Sequence, residues 1–270
     1  MNAPLTARQV EDYQTEGFIR VPGLFAKDEV NMILDAALAD ERLAAAAYSR
    51  TDRDGNETRM TVWDEMGDDI YSIAMRSDRV ASAVEQLIGE EICHYNSKLN
   101  AKEPRVGGSW EWHQDYGYAY GYGVLAPKMA TCFISLDPSN RENGCIEMLA
   151  GSHLLGRIDH DFVGKQYCAD QARVAVAEET MSVVPCELDA GDAVFFHCNT
   201  LHRSSANRSD RRRWALITVF NALSNLPFKD GPHSGLHPVA KVDDSFLRTC
   251  AGRLSGSEKV FQGQAYNPAA

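Results

Sequence analysis

Long apolar runs, a cysteine pairing pattern and an excess of positive charge are all missing from this sequence, and each absence removes a class of function. No stretch approaches the roughly 20 apolar residues that a membrane span needs, and the opening Met1-Asn2-Ala3-Pro4 has neither a basic patch nor an apolar signal core. The expected setting is the cytoplasm, with no membrane partner. The seven cysteines, at 93, 132, 145, 168, 186, 198 and 250, are odd in number and never spaced as C-x-x-C. Neither a disulfide framework nor a thiolate zinc site is expected, and most of these residues read as buried thiols. Basic residues number 27 against 38 acidic ones, a formal charge of -11, which repels phosphate backbones and anionic lipid over most of the exterior. Nucleic acid is not an expected partner. Nothing in the sequence speaks to oligomeric state.

What is present suits a folded chain with a full core: 270 residues, 44% hydrophobic and 24% charged. A single domain over 1–270 is expected, with a helical part to about residue 90, a β core over about 91–225 and an extension over 226–270. Thr6-Ala-Arg-Gln9 has the form of a capping box, and Gly17 stops that helix before the strand-like Phe18–Val21. A second helix is predicted from Lys27 towards the alanines at 44–47. A third follows Ser77, with Val80, Val84, Leu87 and Ile88 on one face and Gly89 as its stop. From residue 91 the texture changes to short β-rich runs between Gly, Pro, Asn and Asp turns. Strands are predicted at 92–100, 110–115, 129–136, 144–149, 181–188, 193–198, 200–205 and 213–221. Eight short strands without intervening helices predict a mainly β fold, a double-stranded β-helix of the jelly-roll, cupin-like kind flanked by N-terminal helices. Residues 50–60, 155–180 and the tail after Gly252 read as the least structured.

The chemistry concentrates in two places. Trp112-His113-Gln114-Asp115 closes a predicted strand, where residues two apart share a face, so one imidazole and one carboxylate can reach the same ion. His202 and Ser204 pair in the same way on a later strand. Two histidines and one carboxylate on adjoining corners of an octahedron leave the opposite positions open, as in iron(II) oxygenases. On the following strand Arg213, Ala215, Ile217 and Val219 alternate with Trp214, Leu216, Thr218 and Phe220. Both faces of that strand are covered, and a guanidinium at its start needs an anion to offset its desolvation. A dicarboxylate gripped in bidentate fashion is a natural partner, with the Ser204 hydroxyl donating to the same group. Arg211 and Arg212 read as a solvated basic turn. His153 and His197 read as structural, and His94, His160, His233 and His237 have no partner at metal-ligand spacing.

Taken together, Trp112-His-Gln-Asp115, Glu142-Asn-Gly-Cys-Ile-Glu-Met-Leu-Ala-Gly-Ser-His153, Leu188-Asp-Ala-Gly-Asp-Ala-Val-Phe-Phe-His197 and Leu201-His-Arg-Ser-Ser-Ala-Asn207 through Arg213 resemble the phytanoyl-CoA dioxygenase family, which includes ectoine hydroxylase. With Gly17-Phe18 and Val21 near the start, the resemblance covers nearly the whole chain. It implies His113, Asp115 and His202 as iron ligands. The family's 2-oxoglutarate arginine stands eleven residues after the distal histidine, which singles out Arg213 from its neighbours. Ser204 matches the family's H-x-S position and Thr131 a cosubstrate-side hydroxyl; Lys98 or Asn96 is placed near the cosubstrate. The implied cofactors are iron(II), 2-oxoglutarate and oxygen, with ascorbate as a stimulant in vitro. The implied reaction hydroxylates a C–H bond of a small molecule while 2-oxoglutarate becomes succinate and carbon dioxide. Asp115 argues for hydroxylation, because related halogenases lack the carboxylate.

The substrate is less legible. Tyr116-Gly-Tyr-Ala-Tyr-Gly-Tyr122 follows the metal motif directly, so Tyr116 and Tyr118 are candidates for an amphipathic substrate wall. The insertion from Leu154 to about Thr180 is long enough to cover the site, with Arg157 as a candidate for an anionic substrate group. No contiguous basic cluster suggests a CoA thioester. Two other classes stay open here: a cupin-like metal enzyme that does not use 2-oxoglutarate, and a non-catalytic jelly-roll binding module.

Overall fold

The computed structural model of the chain describes residues 4–230, 236–256 and 259–262. The helices are α1 (Ala7–Glu16), α2 (Lys27–Ala39), α3 (Glu41–Ala45), α4 (Ile70–Arg76), α5 (Asp78–Ile88), α6 (Asp115–Gly121), α7 (Gln171–Thr180) and α8 (Phe246–Thr249). The strands are β1 (Phe18–Val21), β2 (Tyr48–Thr51), β3 (Glu57–Trp63), β4 (Ile92–Lys102), β5 (Trp110–His113), β6 (Met129–Ser135), β7 (Ile146–Leu149), β8 (His160–Val163), β9 (Gln166–Ala169), β10 (Val183–Cys186), β11 (Ala193–His197), β12 (His202–Ser204), β13 (Arg213–Ala222) and β14 (Phe261–Gln262).

Local chemistry accounts for the helix ends. Thr6 accepts from the Gln9 amide while the Gln9 side chain accepts from the Thr6 amide, and Gly17 closes α1 at φ +83°. The single helix expected over 27–47 is two helices, divided at Asp40, whose carboxylate leaves the first to cap the second through the Leu43 amide. Asp69 caps α4, a helix that the apolar pattern before Ser77 did not reveal because all of Ile70–Met75 is buried and no polar face remains to set a period.

The strands form two antiparallel layers. The larger runs β1-β11-β6-β13-β4-β3-β14, with β2 paired to β3; the smaller runs β10-β7-β12-β5. All eight predicted strands are present, and the two-layer arrangement is the expected jelly roll. Two stretches expected to lack structure do not. Residues 50–60 form most of the β2–β3 hairpin, which extends the larger sheet. Residues 155–180 hold the separate β8–β9 hairpin and α7. Charged and polar residues interspersed along these short strands hid both hairpins from a hydrophobic pattern.

The outer face of the large sheet carries Ile134, Phe195, Leu216 and Phe220 against α2, α4 and α5. The inner face carries Phe133, Val194, Phe196, Ala215 and Ile217 against Ile146 and Met148 of the smaller sheet. The alternation expected along β13 is therefore met on both sides. The site lies between the sheets, beyond the end of this inner core.

Candidate metal and cosubstrate site

His113 ends β5 and His202 begins β12, and these two residues face each other directly in the antiparallel register. The pairing brings their rings to 4.1 Å between centroids. Asp115 is not on the strand, as expected, but is the first residue of α6, swung inward after Gln114. Gln114 points the other way, is fully buried, and ties three segments together. It donates to the carbonyls of Gly156 (2.8 Å) and Asn199 (2.7 Å) and accepts from the Ile158 amide (2.7 Å).

One candidate ligand atom from each of His113, Asp115 and His202 lies within 4.8 Å of the others, the only such group of His, Cys, Asp or Glu among the described residues. Each imidazole has Nδ1 against a backbone carbonyl, Glu111 at 2.7 Å for His113 and Thr200 at 2.9 Å for His202. Nδ1–H is thus committed, and the Nε2 lone pair is left for an ion. Thr131 donates to Asp115 Oδ2 at 2.5 Å, fixing the carboxylate while Oδ1 faces His202 Nε2 at 3.9 Å. Burial first, then the neighbouring His202, pushes His113 well below the ordinary imidazole range; burial also lowers His202, against the Asp115 charge. Both rings are therefore neutral, the state that binds a metal. Two neutral imidazoles and a carboxylate fit iron(II) by donor chemistry and by the open side they leave.

Two cavities meet at this cluster. The narrow one, about 50 Å³, runs between the sheets past Phe133, Ile146 and Ile217 to Ser204 and Arg213. Arg213 is only 2% exposed, and its Nη2 and Nε donate to the Gly144 carbonyl at 2.8 and 3.2 Å. No carboxylate among the described residues pairs with it, and burial lowers its pKa to about 10. Arg212, by contrast, points outward and pairs with Asp137 at 3.1 Å. Gly144 was not singled out from the sequence. It sits at φ +77°, where a Cβ would strike the Ser205 carbonyl, so only glycine lets this turn approach and present its carbonyl to Arg213.

The wide cavity, about 450 Å³, opens from His113 and Asp115 past Tyr95, Asn96, Lys98, Trp110 and Tyr118 to Arg50, Phe162, Lys165 and Tyr167. A register shift in β4 opposite Val219 and Phe220 lets the adjacent residues Tyr95 and Asn96 both line it. Lys98 borders both cavities.

The three substrate candidates separate. Tyr118 lines the wide cavity, edge-on to His113 at 5.8 Å, with its hydroxyl donating to the Tyr167 carbonyl at 2.6 Å. Tyr116 faces away, buried with Val124 and Met129, and its hydroxyl donates to the Leu125 carbonyl at 2.5 Å. Arg157 lines neither cavity; it pairs with Asp159 at 2.6 Å and lies over the Tyr120 ring at 4.4 Å. The helical turn of α6 explains the split, because residues two apart on a helix point apart and Tyr116 and Tyr118 therefore do not share one wall. The 154–180 insertion does reach the cavity, through Phe162, Lys165, Gln166 and Tyr167 of the β8–β9 hairpin.

Most of the remaining histidines are structural. His160 accepts from the Gln114 amide at 2.9 Å and packs where a Cβ on Gly117 would collide with its ring. His197 accepts from the Asn199 amide at 3.1 Å, His153 meets the Gln14 carbonyl at 3.1 Å, and His94 bonds Ser97 and the Asp64 carbonyl. His233 lies outside the described residues.

The chain is similar to known proteins in sequence and in fold. The family model described as Phytanoyl-CoA dioxygenase (PhyH) matches residues 13–215. The ectoine dioxygenase of Bordetella bronchiseptica is 26% identical over 249 residues, covering 87% of this chain and 80% of its own. The L-proline trans-4-hydroxylase of Streptomyces griseoviridis is 30% identical over 176 residues, covering 59% of this chain and 66% of its own. Among solved structures, iron-bound EctD from S. alaskensis superposes with a TM-score of 0.70 at 24% identity, covering 94% of this chain and 88% of its own. The epimerase SnoN, in complex with Fe3+, alpha ketoglutarate and nogalamycin RO, does so with a TM-score of 0.69 at 21% identity, covering 94% and 97%.

Proposed function

The chain belongs to the phytanoyl-CoA dioxygenase family of non-haem iron(II)- and 2-oxoglutarate-dependent oxygenases, and from that premise we propose that it hydroxylates an unactivated C–H bond of a small amphiphilic organic acid. In this proposal His113, Asp115 and His202 hold the iron, and Arg213 and Ser204 hold the distal carboxylate of 2-oxoglutarate. The observation that carries it is that one neutral-imidazole and carboxylate cluster opens at once onto a narrow pocket ending in a buried, anion-less arginine and onto a wide cavity. A metal enzyme without 2-oxoglutarate, or a binding module without chemistry, would leave Arg213 buried for no return.

With iron(II) and 2-oxoglutarate bound, the centre supplies oxidative decarboxylation to succinate and carbon dioxide coupled to hydroxylation. The chain's own part is positional. Thr131 holds the Asp115 carboxylate, the two backbone carbonyls orient the imidazoles, and Phe133, Ile146, Phe196 and Ile217 keep water from the narrow pocket.

The substrate class rests on the wide cavity. Its volume of about 450 Å³ falls within the 300–1,000 Å³ range of sites for drug-sized ligands, more than one amino acid fills. Aromatic and aliphatic side chains supply most of the wall, and the charged lining is Arg50, Lys98 and Lys165 against the single acid Asp115. On a chain of net charge -11, a cationic cavity favours an anion by local field. Seven cysteines, all free and buried, fit a reducing compartment, which supports a cytoplasmic enzyme; no helix among the described residues is long and apolar enough to cross a membrane.

The test is a metabolite panel of organic acids, each beside its neutral amide, scored for stimulation of 2-oxoglutarate turnover under iron(II), oxygen and ascorbate. Stimulation by acids over their amides is expected. Stimulation by amides or amines alone removes the substrate class, and absence of 2-oxoglutarate binding removes the reaction.

A further inference from the structure

The three cations that line the wide cavity are not equivalent. Lys98 on β4 borders the narrow pocket as well, so its charge also faces the cosubstrate; Arg50 and Lys165 border the wide cavity alone. The sheet register sets Arg50 away from the metal. Val62 of β3 lies opposite Lys98, Met60 lies between Asn100 and Tyr48, and Arg50 follows Tyr48 by two along β2, so alternate residues of three strands share the inner face. β2 is two strands out from β4, roughly 10 Å at ordinary strand spacing. The Arg50 guanidinium lies over the Tyr48 ring at 5.3 Å, which holds it against the wall.

Lys165 comes from a different sheet. Val163 pairs with Gln166, which leaves Gly164 and Lys165 as a two-residue hairpin turn, with Gly164 at φ +64° in its first position. A Cβ on Gly164 would meet nothing within 4 Å, so the tip stands clear of the body. The lysine is exposed, and among the described residues no carboxylate pairs with it. The base of the hairpin, by contrast, is fixed to the segment that carries the metal ligands. Gln166, 4% exposed, accepts from the Glu111 amide and donates to the Ser109 carbonyl, both at 3.0 Å. The Tyr167 carbonyl accepts from Tyr118 at 2.6 Å, and His160 accepts from the Gln114 amide at 2.9 Å. A cation at the tip is therefore held at a set remove from His113 and Asp115, and Asp115, the one acid in the lining, belongs to the metal site.

We propose that Arg50 and Lys165 form an anion clamp that sets the orientation of the substrate. They hold its carboxylate at the outer end of the wide cavity, while its apolar body lies inward along Met60, Val62, Trp110 and Tyr118 and turns its far end towards the metal. The proposal rests on the reading of the wide cavity as the site for an organic acid. It narrows that class to acids whose charge stands roughly two strand spacings, about 10 Å, from the carbon oxidised.

The experiment is anaerobic calorimetry on the protein loaded with iron(II) and saturating 2-oxoglutarate, which fills the narrow pocket. The titrants are 4-phenylbutanoate and 4-phenylbutanamide, alike in shape and different in charge. The wild-type chain should bind the acid about tenfold or more tightly than the amide. Arg50→Met and Lys165→Met, which keep an apolar stem in place, should each weaken the acid by about tenfold, the loss of one charge-assisted contact at a partly exposed site, and leave the amide unchanged. Lys165→Arg should keep the affinity for the acid, and Lys128→Met, at an exposed ion pair outside both cavities, should change neither titration. A preference for the acid that survives intact in Arg50→Met and Lys165→Met, or equal weakening of acid and amide, overturns the clamp while the organic-acid reading stands. Absence of any preference for the acid in the wild-type chain overturns both.

Discussion

Replacing Arg213 and, separately, its neighbour Arg212 by alanine tests the cosubstrate pocket most directly, since the two arginines are adjacent in the chain but differ in burial and in what they bond to. Arg213 is 2% exposed, bonded only to the Gly144 carbonyl and directed at the narrow pocket, whereas the Arg212 side chain is 34% exposed and paired with Asp137. Removing a desolvated charge that meets a ligand carboxylate costs about 2–5 kcal/mol, which at about 1.4 kcal/mol per decade weakens 2-oxoglutarate binding by roughly thirtyfold to a few thousandfold. Removing Arg212, whose side chain lies away from the narrow pocket, leaves the dissociation constant near that of the parent. Arg213→Ala also strips the Gly144 carbonyl of its donors, a stability loss of about 1–3 kcal/mol. Urea denaturation run beside the calorimetry therefore separates folding from binding. Equal effects of Arg212→Ala and Arg213→Ala on 2-oxoglutarate affinity would refute the pocket assignment.

The other predictions follow from the same geometry. His113→Ala, Asp115→Ala and His202→Ala should each lose iron and turnover while keeping the parent's far-ultraviolet circular dichroism; a variant that keeps full iron content removes that residue from the metal site. Tyr118→Ala, which alters the wall of the wide cavity, should raise the ratio of succinate to hydroxylated product, whereas Arg157→Ala, outside both cavities, should leave it unchanged; the reverse result would relocate the substrate. Burial pushes His160 and His197 down to about 4, while the unfolded chain protonates these positions at about 6.5. The unfolded state therefore binds more protons between those values, so stability rises with pH across the window and is lost as pH falls through it, by at most about 3 kcal/mol for each residue. His197→Gln should flatten the fall of the denaturation midpoint between those pH values, and an unaltered slope would mean that His197 is not what titrates.

The β core was legible because its strands are buried on the inside by strict alternation, as in Arg213–Val219 against Trp214–Phe220, and bounded by Gly, Asp and Asn turns. The H-x-D spacing, the distal histidine and the count of eleven residues to Arg213 were legible for the same reason: a motif is local, and so is its record in the chain. The β2–β3 and β8–β9 hairpins were not, because short strands that mix polar residues into both faces carry little hydrophobic period. Nor was the separation of Tyr116 from Tyr118, which depends on a turn of helix that two glycines and a run of tyrosines do not advertise.

The sequence alone determined which residue types could form a metal site, which strands would carry them and which arginine would face inward, since each is set by neighbours a few positions away. Only the tertiary structure decided that His113 and His202, 89 positions apart in the chain, face each other in register, and that Asp115 leaves its strand to join them under the hold of Thr131. It alone set Arg50 and Lys165 on the wall of one cavity. The reason is physical: pairing between strands fixes which side chains meet, and the cost of burying charge shows only once the surroundings of each group are known.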